Sequence, residues 1–480
     1  MVKLARKVLK NSIFNSLRAL ISGIGGFVFS VVLARLLIPE QYGIYALTMS
    51  ICFFVMQFDP GTSYTMIRYV SYSIGKRDFK SARAYFYFLL KIRVLFLLVS
   101  STLLFLLAKV LAYNVFNKPE LFVPLQIAAF LLFAIHFSGY FDDLCFAFQN
   151  FKYPAIKQLI YEISRFTFVI PFLLMGFFYG IFVGLVLSSI FALLIILPFV
   201  LKRFPIRGET SKIDKRRVLR FMAFISVGSL SAVFFNYIDI IMIGMFLPAD
   251  DAGYYKVATN LIFAVLSLMG ISQVLFPVFT QLEGDNLENA FKKVFKYSLV
   301  FSLPFAILLA HFSREIVSVI YGSKYIKASI ALTLLTPIIV FNAVNLFGTL
   351  FGAKEKPQYG TAVSTVSATM NVILNYFLIQ FYGIAGAAIA TTLSRLFNVV
   401  VLGYLCSKVL GIRPDASSIY KPLIASLIMA LFVYLLPQPE TIFYGLVEVV
   451  LAFLIYFATI FAVRGLDKND LRYFRMVVGI

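Results

Sequence analysis

Apolar residues run along this chain in blocks of about twenty, the length that crosses a bilayer as a helix, broken by short polar, glycine- or proline-containing joints. The blocks are apolar on all faces rather than along one stripe, as expected of helices whose solvent is lipid. Fourteen helices are predicted, at 11–37, 41–58, 84–108, 121–146, 155–176, 179–201, 218–247, 252–279, 294–312, 327–350, 359–381, 384–408, 419–436 and 441–463. Breakers stand at most joints: Pro39, Pro60 with Gly61, Pro119, Pro154, Pro248, Pro357, Pro414, Pro437 and Pro439. No segment between helices approaches domain size, and the longest loops, 59–83 and 202–217, are both basic. The fold class expected is all-α and integral to a membrane.

The helix pattern repeats. FYGI occurs at 178–181 and again at 381–384, a spacing of 203 residues. Gly180, Gly184 and Ser188 then align with Gly383, Ala387 and Thr391, small residues at every fourth position that let helices approach closely. Upstream, LLIPEQYGIY (36–45) resembles MFLPADDAGYY (245–255), matching Pro39 to Pro248 and Gly43 to Gly253, and Gly61 matches Gly270. Two parallel six-helix repeats follow, 1–201 and 218–410, joined by the basic linker 202–217, with two extra helices and a tail at 411–480. Two similarly oriented lobes around a central site are transporter architecture.

Composition removes other classes. Hydrophobic residues make up 61% of the 480 and charged residues 14%, which excludes a water-soluble enzyme and a disordered chain. Continuous apolar runs also argue against an outer-membrane barrel, whose strands alternate. The net charge of +21 is topological. With both termini in the cytoplasm, 31 Lys and Arg fall on cytoplasmic ends and loops, against five on the outer side. Nucleic acid is therefore not needed as a partner. The basic start, MVKLARKVLK, leads into an apolar run without a small-residue cleavage site and reads as a retained first span. Cys52, Cys145 and Cys406 all lie in apolar stretches, away from any metal-ligand spacing. No Gly-rich phosphate loop or HExxH motif is present, so neither cofactor nor metal is expected, and the short outer loops leave little room for a catalytic domain.

Charges inside spans are costly and mark function. Arg18, Arg165 and Arg395 lie deep in their helices, Arg18 about 12 Å from its start at 1.5 Å per residue. Arg35 and Lys256 occupy outer portions of their helices, with Glu40 near the first and Asp250 and Asp251 near the second, so a gate role competes with surface pairing. Glu162 and Arg165 share a face at i, i+3 and can neutralise each other. Asp239 can bind a coupling cation or proton, or pair with an arginine. Lys91 and Arg93 are expected to snorkel to the interface, Asp142 and Asp143 to be interfacial, and His136 and His311 to be packed. The surplus of intramembrane arginine suits an anionic head group such as a pyrophosphate, since guanidinium stays charged and grips phosphate bidentately.

ARLLIPEQYGIYAL (34–47) and FLPADDAGYYKVATNLIFAVLSLMGISQVLFPVFTQL (246–282) resemble Wzx-type polysaccharide and O-antigen flippases. So do YGSKYIKAS (321–329) and NVILNYFLIQFYGIAGAAIATTLSRLFNVVVLGYL (371–405). These flippases belong to the MOP superfamily, with MATE exporters and lipid II flippases. The resemblance implies a V of two six-helix bundles plus two helices, working by alternating access in the cytoplasmic membrane. Its cargo would be an undecaprenyl- or dolichyl-(pyro)phosphate-linked oligosaccharide, held in a cationic cavity for which Arg18, Arg35, Arg165, Lys256 and Arg395 are candidates. Asp239 and Glu162 are the candidates for coupling to H+ or Na+, and membrane lipids and glycan-assembly enzymes are the expected partners. The alternative is a cation-coupled multidrug exporter of the MATE type, and a polysaccharide polymerase or glycosyltransferase ranks below it. Helices 1 and 2 hold no acidic residue away from their ends, which weighs against the exporter.

Overall fold

A computed structural model describes residues 2–205, 207–268, 275, 279–436, 441–466 and 470, without the side chains of 2–9, 227–236, 268 and 442. It is helical throughout the described residues. Nine helices among them are long and apolar enough to cross a membrane, running from Lys10–Leu36 to Phe443–Ala462. The chain is thus a multi-pass α-helical membrane protein. Several predicted spans, among them those at 41–58 and 155–176, are helices (Pro39–Met56, Lys152–Leu174) that fall outside those nine. Large apolar side chains such as Leu106, Leu194 and Leu431 stand well exposed on the long helices, as a lipid solvent demands.

Packing divides the chain into two compact units, Met1–Lys256 and Val257–Ile480. In the first unit, helix Val2–Leu36 packs on Lys152–Leu174, which pairs closely with Gly180–Arg203. Helix Phe79–Val110 packs on Phe122–Ala147, and Met66, Phe86, Leu89, Tyr140 and Leu144 share a buried core there. Helix starts are written locally. Pro39 opens Pro39–Met56, where its missing N–H costs nothing. Asp78 caps Phe79–Val110 by accepting from the Ser81 amide at 2.9 Å, and Asp214 caps Lys215–Phe246 from the Arg217 amide at 3.0 Å. The 59–83 loop is more ordered than its sequence suggested, with a helix at Thr62–Gly75.

In the second unit, the span predicted at 327–350 is three short helices, Ala328–Leu335, Pro337–Val344 and Phe347–Ala353. Pro337 lacks the N–H that would continue the first, and Asn345 leaves helical geometry at ψ 54°. The extra helices Ser417–Leu435 and Ile442–Ala462 pair with one another, and Met429, Val433 and Tyr456 pack against Val300 and Leu308 of helix Gly284–His311.

Both FYGI copies stand where a helix reverses. The first opens Gly180–Arg203 just after Lys152–Leu174. The second sits inside Pro357–Leu410, where Gly383 takes φ 57° and ψ −137°, a backbone state open to glycine. Beyond it the chain folds back so that Asn371 meets Thr391 at 3.3 Å. The other repeated motif also meets its copy. Gly43 and Gly253 lie backbone to backbone in the first unit: a Cβ on Gly43 would run into the Ala249 carbonyl, and one on Gly253 would stand 2.6 Å from the Pro39 oxygen. Gly270, Pro437, Pro439 and the tail after Leu466, Asp470 apart, lie outside the described residues. The domain boundary placed in 202–217 rests on the sequence repeat and is carried forward as a proposal.

Candidate functional site

The interior of the first unit holds linked charges. Arg18 is half-buried on the first helix, 5.2 Å from the centroid of the Phe146 ring, and its Nε has no hydrogen-bond partner among the described residues. Asp142 lies within its electrostatic reach. That carboxylate pairs with Lys157 Nζ at 2.6 Å, and Lys157 also donates to the Ser138 carbonyl and hydroxyl at 3.0 and 2.9 Å. All three polar groups around Lys157 are thus used, which is how a buried ammonium is tolerated.

Arg93 does not snorkel. It is 3% exposed, pairs with Asp59 Oδ1 at 2.7 Å and donates to Thr62 Oγ1 at 2.6 Å and the His136 carbonyl at 3.3 Å. The reason is depth. Its helix begins at Phe79 rather than near 84, which puts Arg93 about 20 Å from the start at 1.5 Å per residue, beyond side-chain reach of the interface. Asp59 comes down to meet it from the turn before Thr62, whose amide and hydroxyl both bind the same carboxylate. Asp143 adjoins this pair and is 9% exposed, with Arg93 and Asp59 acting on it. Asp142 is thus half-buried and Asp143 buried, both within the last two turns of helix Phe122–Ala147.

Arg165 and Glu162 form the ion pair their spacing allowed, both nearly buried. The guanidinium lies 4.4 Å from the Phe29 ring centroid, and Gln158 Nε2 donates to Glu162 Oε1 at 2.8 Å. Gly25 on the first helix leaves the room: a Cβ there would overlap the Glu162 carboxylate. Asp239 is buried and accepts from the Tyr255 hydroxyl at 2.9 Å. Arg35 is exposed near the end of its helix, and Lys256 is half-buried at the last position of the unit.

Of the candidates, only Arg395 lies in the second unit, where it is half-buried. Its neighbours on that helix pair form an uncharged string. Asn398 accepts from Asn345 Nδ2 at 3.2 Å and donates to Ser367 Oγ at 3.2 Å, while Asn371 accepts from Asn375 at 3.2 Å and donates to Thr391. The sequence offered a signal for this, Asn371 and Asn375 one turn apart in an otherwise apolar run, which charge-based reasoning passed over. Among the described residues no group of three His, Cys, Asp or Glu side chains could hold a metal.

A family model described as polysaccharide biosynthesis protein matches residues 8–283, more than half of the chain. The chain belongs to that family. A probable low-salt glycan biosynthesis flippase, Agl15 of Haloferax volcanii, is 29% identical over 225 residues, 45% of this chain and 47% of that protein. The chain spans about half the length of the first curated relatives it matches. The family's fold is shared more widely. The lipid II flippase MurJ in an inward closed conformation superposes with a TM-score of 0.74 at 16% identity, over 94% of this chain and 98% of MurJ. An inward-facing MATE multidrug transporter of the MOP superfamily gives 0.65 at 13% identity, over 81% and 94%. The fold is thus that of the MurJ and MATE transporters.

Proposed function

We propose that this protein is a flippase. It moves a polyprenyl-(pyro)phosphate-linked oligosaccharide from the cytoplasmic to the outer leaflet by alternating access, for the assembly of a surface glycan. The observation that carries this reading is membership of the polysaccharide biosynthesis family across residues 8–283, together with buried cations in the same stretch. No covalent chemistry is required. The sugar crosses in a polar interior while the isoprenoid tail stays in lipid, and cationic side chains replace water around the phosphate.

Within this proposal the candidates divide by their surroundings. Arg18, whose Nε has no partner among the described residues and which has an aromatic neighbour, is the group best prepared to donate to a phosphate oxygen. Arg165 is already held by Glu162, so it binds cargo by exchanging one anion for another, and Glu162 is then free to take a proton. Arg395 serves the second lobe, and Arg35 and Lys256 serve the outer end. Asp239, hydrogen-bonded to Tyr255, is the second candidate for coupling to H+ or Na+. The lobes run 1–201 and 218–410 about the 202–217 linker, both termini face the cytoplasm of a cell membrane, and glycan-assembly enzymes supply and consume the cargo.

Charge reversal tests the reading. Arg18→Glu, Arg165→Glu and Arg395→Glu should each abolish complementation of a flippase-null strain at unchanged membrane abundance. Full activity of the triple variant would remove the cationic interior from the mechanism.

A further inference from the structure

A concavity of about 570 Å³ opens in the first unit, apart from the interior charges described above. Four helices have their ends at it. Phe79 stands at the start of Phe79–Val115, Phe148 follows the end of Pro119–Ala147, Arg203 closes Gly180–Arg203, and Lys152 opens Lys152–Leu174; Lys10 reaches in from within Val2–Leu36. Ends of four helices at one place, three of them apolar spans, fix that place at the membrane boundary rather than at its middle. The boundary is the Lys- and Arg-rich one.

Its lining joins two chemistries. Lys10, Lys152 and Arg203 reach it from three different elements, and among the described residues no carboxylate lines it. The opposite wall is apolar, built by Phe14, Ile74, Phe79, Phe148 and Phe204, with the last two rings 4.3 Å apart between centroids. The floor is fixed: Asn11 Nδ2 donates to the Gln149 carbonyl at 2.9 Å, tying the first helix to the 148–150 turn. A concave site of a few hundred Å³ with convergent polar groups on an apolar wall is the usual form of a small-ligand site. Three cations with no carboxylate among the described lining residues select an anion, and the aromatic wall beside them selects one that carries a hydrocarbon chain.

We propose that this pocket binds the phosphate head group of an anionic lipid at the membrane interface. Lys10, Lys152 and Arg203 contact the phosphate oxygens, and the phenylalanines take the first methylenes or isoprenyl carbons. Lys10, Phe14 and Arg18 recur every fourth residue on one face of the first helix, so the pocket lies two turns from the half-buried Arg18 guanidinium. A phosphate-bearing lipid held here waits one side-chain row from the interior. The site is read by binding, not transfer, so its failure and that of the flippase reading are separable.

The chain contains no tryptophan. Phe79→Trp therefore places a single indole fluorophore on the pocket wall of the full-length protein in phosphatidylcholine nanodiscs. Three titrants are added separately: dioctanoyl phosphatidic acid, inorganic phosphate, and uncharged dioctanoylglycerol. Phosphatidic acid should give a saturable change, and Lys10→Gln with Lys152→Gln and Arg203→Gln should weaken it roughly tenfold or more. Neutralising three exposed residues off the pocket, Lys202→Gln with Lys212→Gln and Arg216→Gln, should leave it within about twofold, the loss of surface charge alone. A response to inorganic phosphate as well, equally lost in the pocket variant, assigns the site to the phosphate itself rather than to the whole lipid. An equal response to dioctanoylglycerol, an unchanged pocket variant, or equal losses in the two triple variants would each overturn the proposal. Native mass spectrometry of lipid retained by the protein with and without the pocket substitutions reads the same difference free of the reporter.

Discussion

The two units bury different kinds of polarity. Among the described residues both units bury Ser and Thr, but the first adds Arg93, Lys157, Arg165, Asp143, Glu162 and Asp239, whereas the second adds Asn371, Asn375 and Asn398, with Asp470 as its one buried charge. Amides and hydroxyls satisfy one another by short hydrogen bonds and hold helices together at modest energy. Buried charges cost far more to install and act over longer distances, and evolution tolerates them where they do work. Under the proposed flippase reading, this contrast places cargo electrostatics chiefly in the first unit, with Arg395 the candidate of the second.

The sharpest way to break this comparison is to unpair a charge in the first unit. Arg93→Met strands Asp59 and should cost about 3–5 kcal/mol, the usual penalty for breaking a buried pair. The checks are the thermal midpoint in detergent and the monodisperse yield. A fall no larger than that of an amide variant in the second unit would erase the distinction.

Next in size is Gly25→Ala. Its new methyl would displace the Glu162 carboxylate from Arg165, with a loss of about 1–3 kcal/mol in the same melt. Combined with Glu162→Gln it should add almost nothing, because the carboxylate it displaces is already gone. Full additivity would mean that the glycine matters for backbone packing alone.

Asn398→Ala removes hydrogen bonds to Asn345 and Ser367 and should cost about 0.6–1.7 kcal/mol, from the average to the largest value found for such contacts inside membranes. A loss as large as that of Arg93→Met would make the second unit's polar string equal in weight to the charges.

The smallest effect lies outside the spans, at Asp78. Its carboxyl is held below the ordinary carboxylate range by hydrogen bonds from the Ser81 side chain and amide. A lowered folded-state value means that the cap contributes above the ordinary carboxylate pKa of about 4 and is lost as pH falls through the lowered value. Amide exchange over residues 79–84 should therefore quicken only on acidification below about pH 4, and Asp78→Asn, a good neutral cap, should flatten that dependence. Quickening at pH 6 would assign the protection to another group.

Much of the fold was legible because its causes are local. Pro39, the FYGI reversals at Gly180 and Gly383, and the small faces behind them are backbone constraints carried by single residues. The family was legible from the order of such motifs. The charged interior was legible only in part. Glu162 and Arg165 are one turn apart, so spacing alone predicts their pair. Arg93 with Asp59 and Lys157 with Asp142 join different helices or a helix and a turn, and nothing local says which carboxylate will meet which cation. A helix start misplaced by five residues was enough to turn a buried arginine into an expected surface one. The broken span at 327–350 hid for a similar reason: hydropathy averages over the chain turn that Pro337 and Asn345 impose.

The proposal is that interior cations of the first unit, Arg18 foremost, hold an anionic cargo during its passage. Its most direct test is transfer of a fluorescent polyprenyl-pyrophosphate-linked sugar across proteoliposomes containing the full-length protein or its Arg18→Gln variant. The account predicts transport by the wild type and a loss of roughly tenfold or more in the variant, the rate equivalent of one charge-assisted hydrogen bond of about 1.5–3 kcal/mol, with Arg18→Lys in between. Equal rates for all three proteins, at equal incorporation, would contradict it.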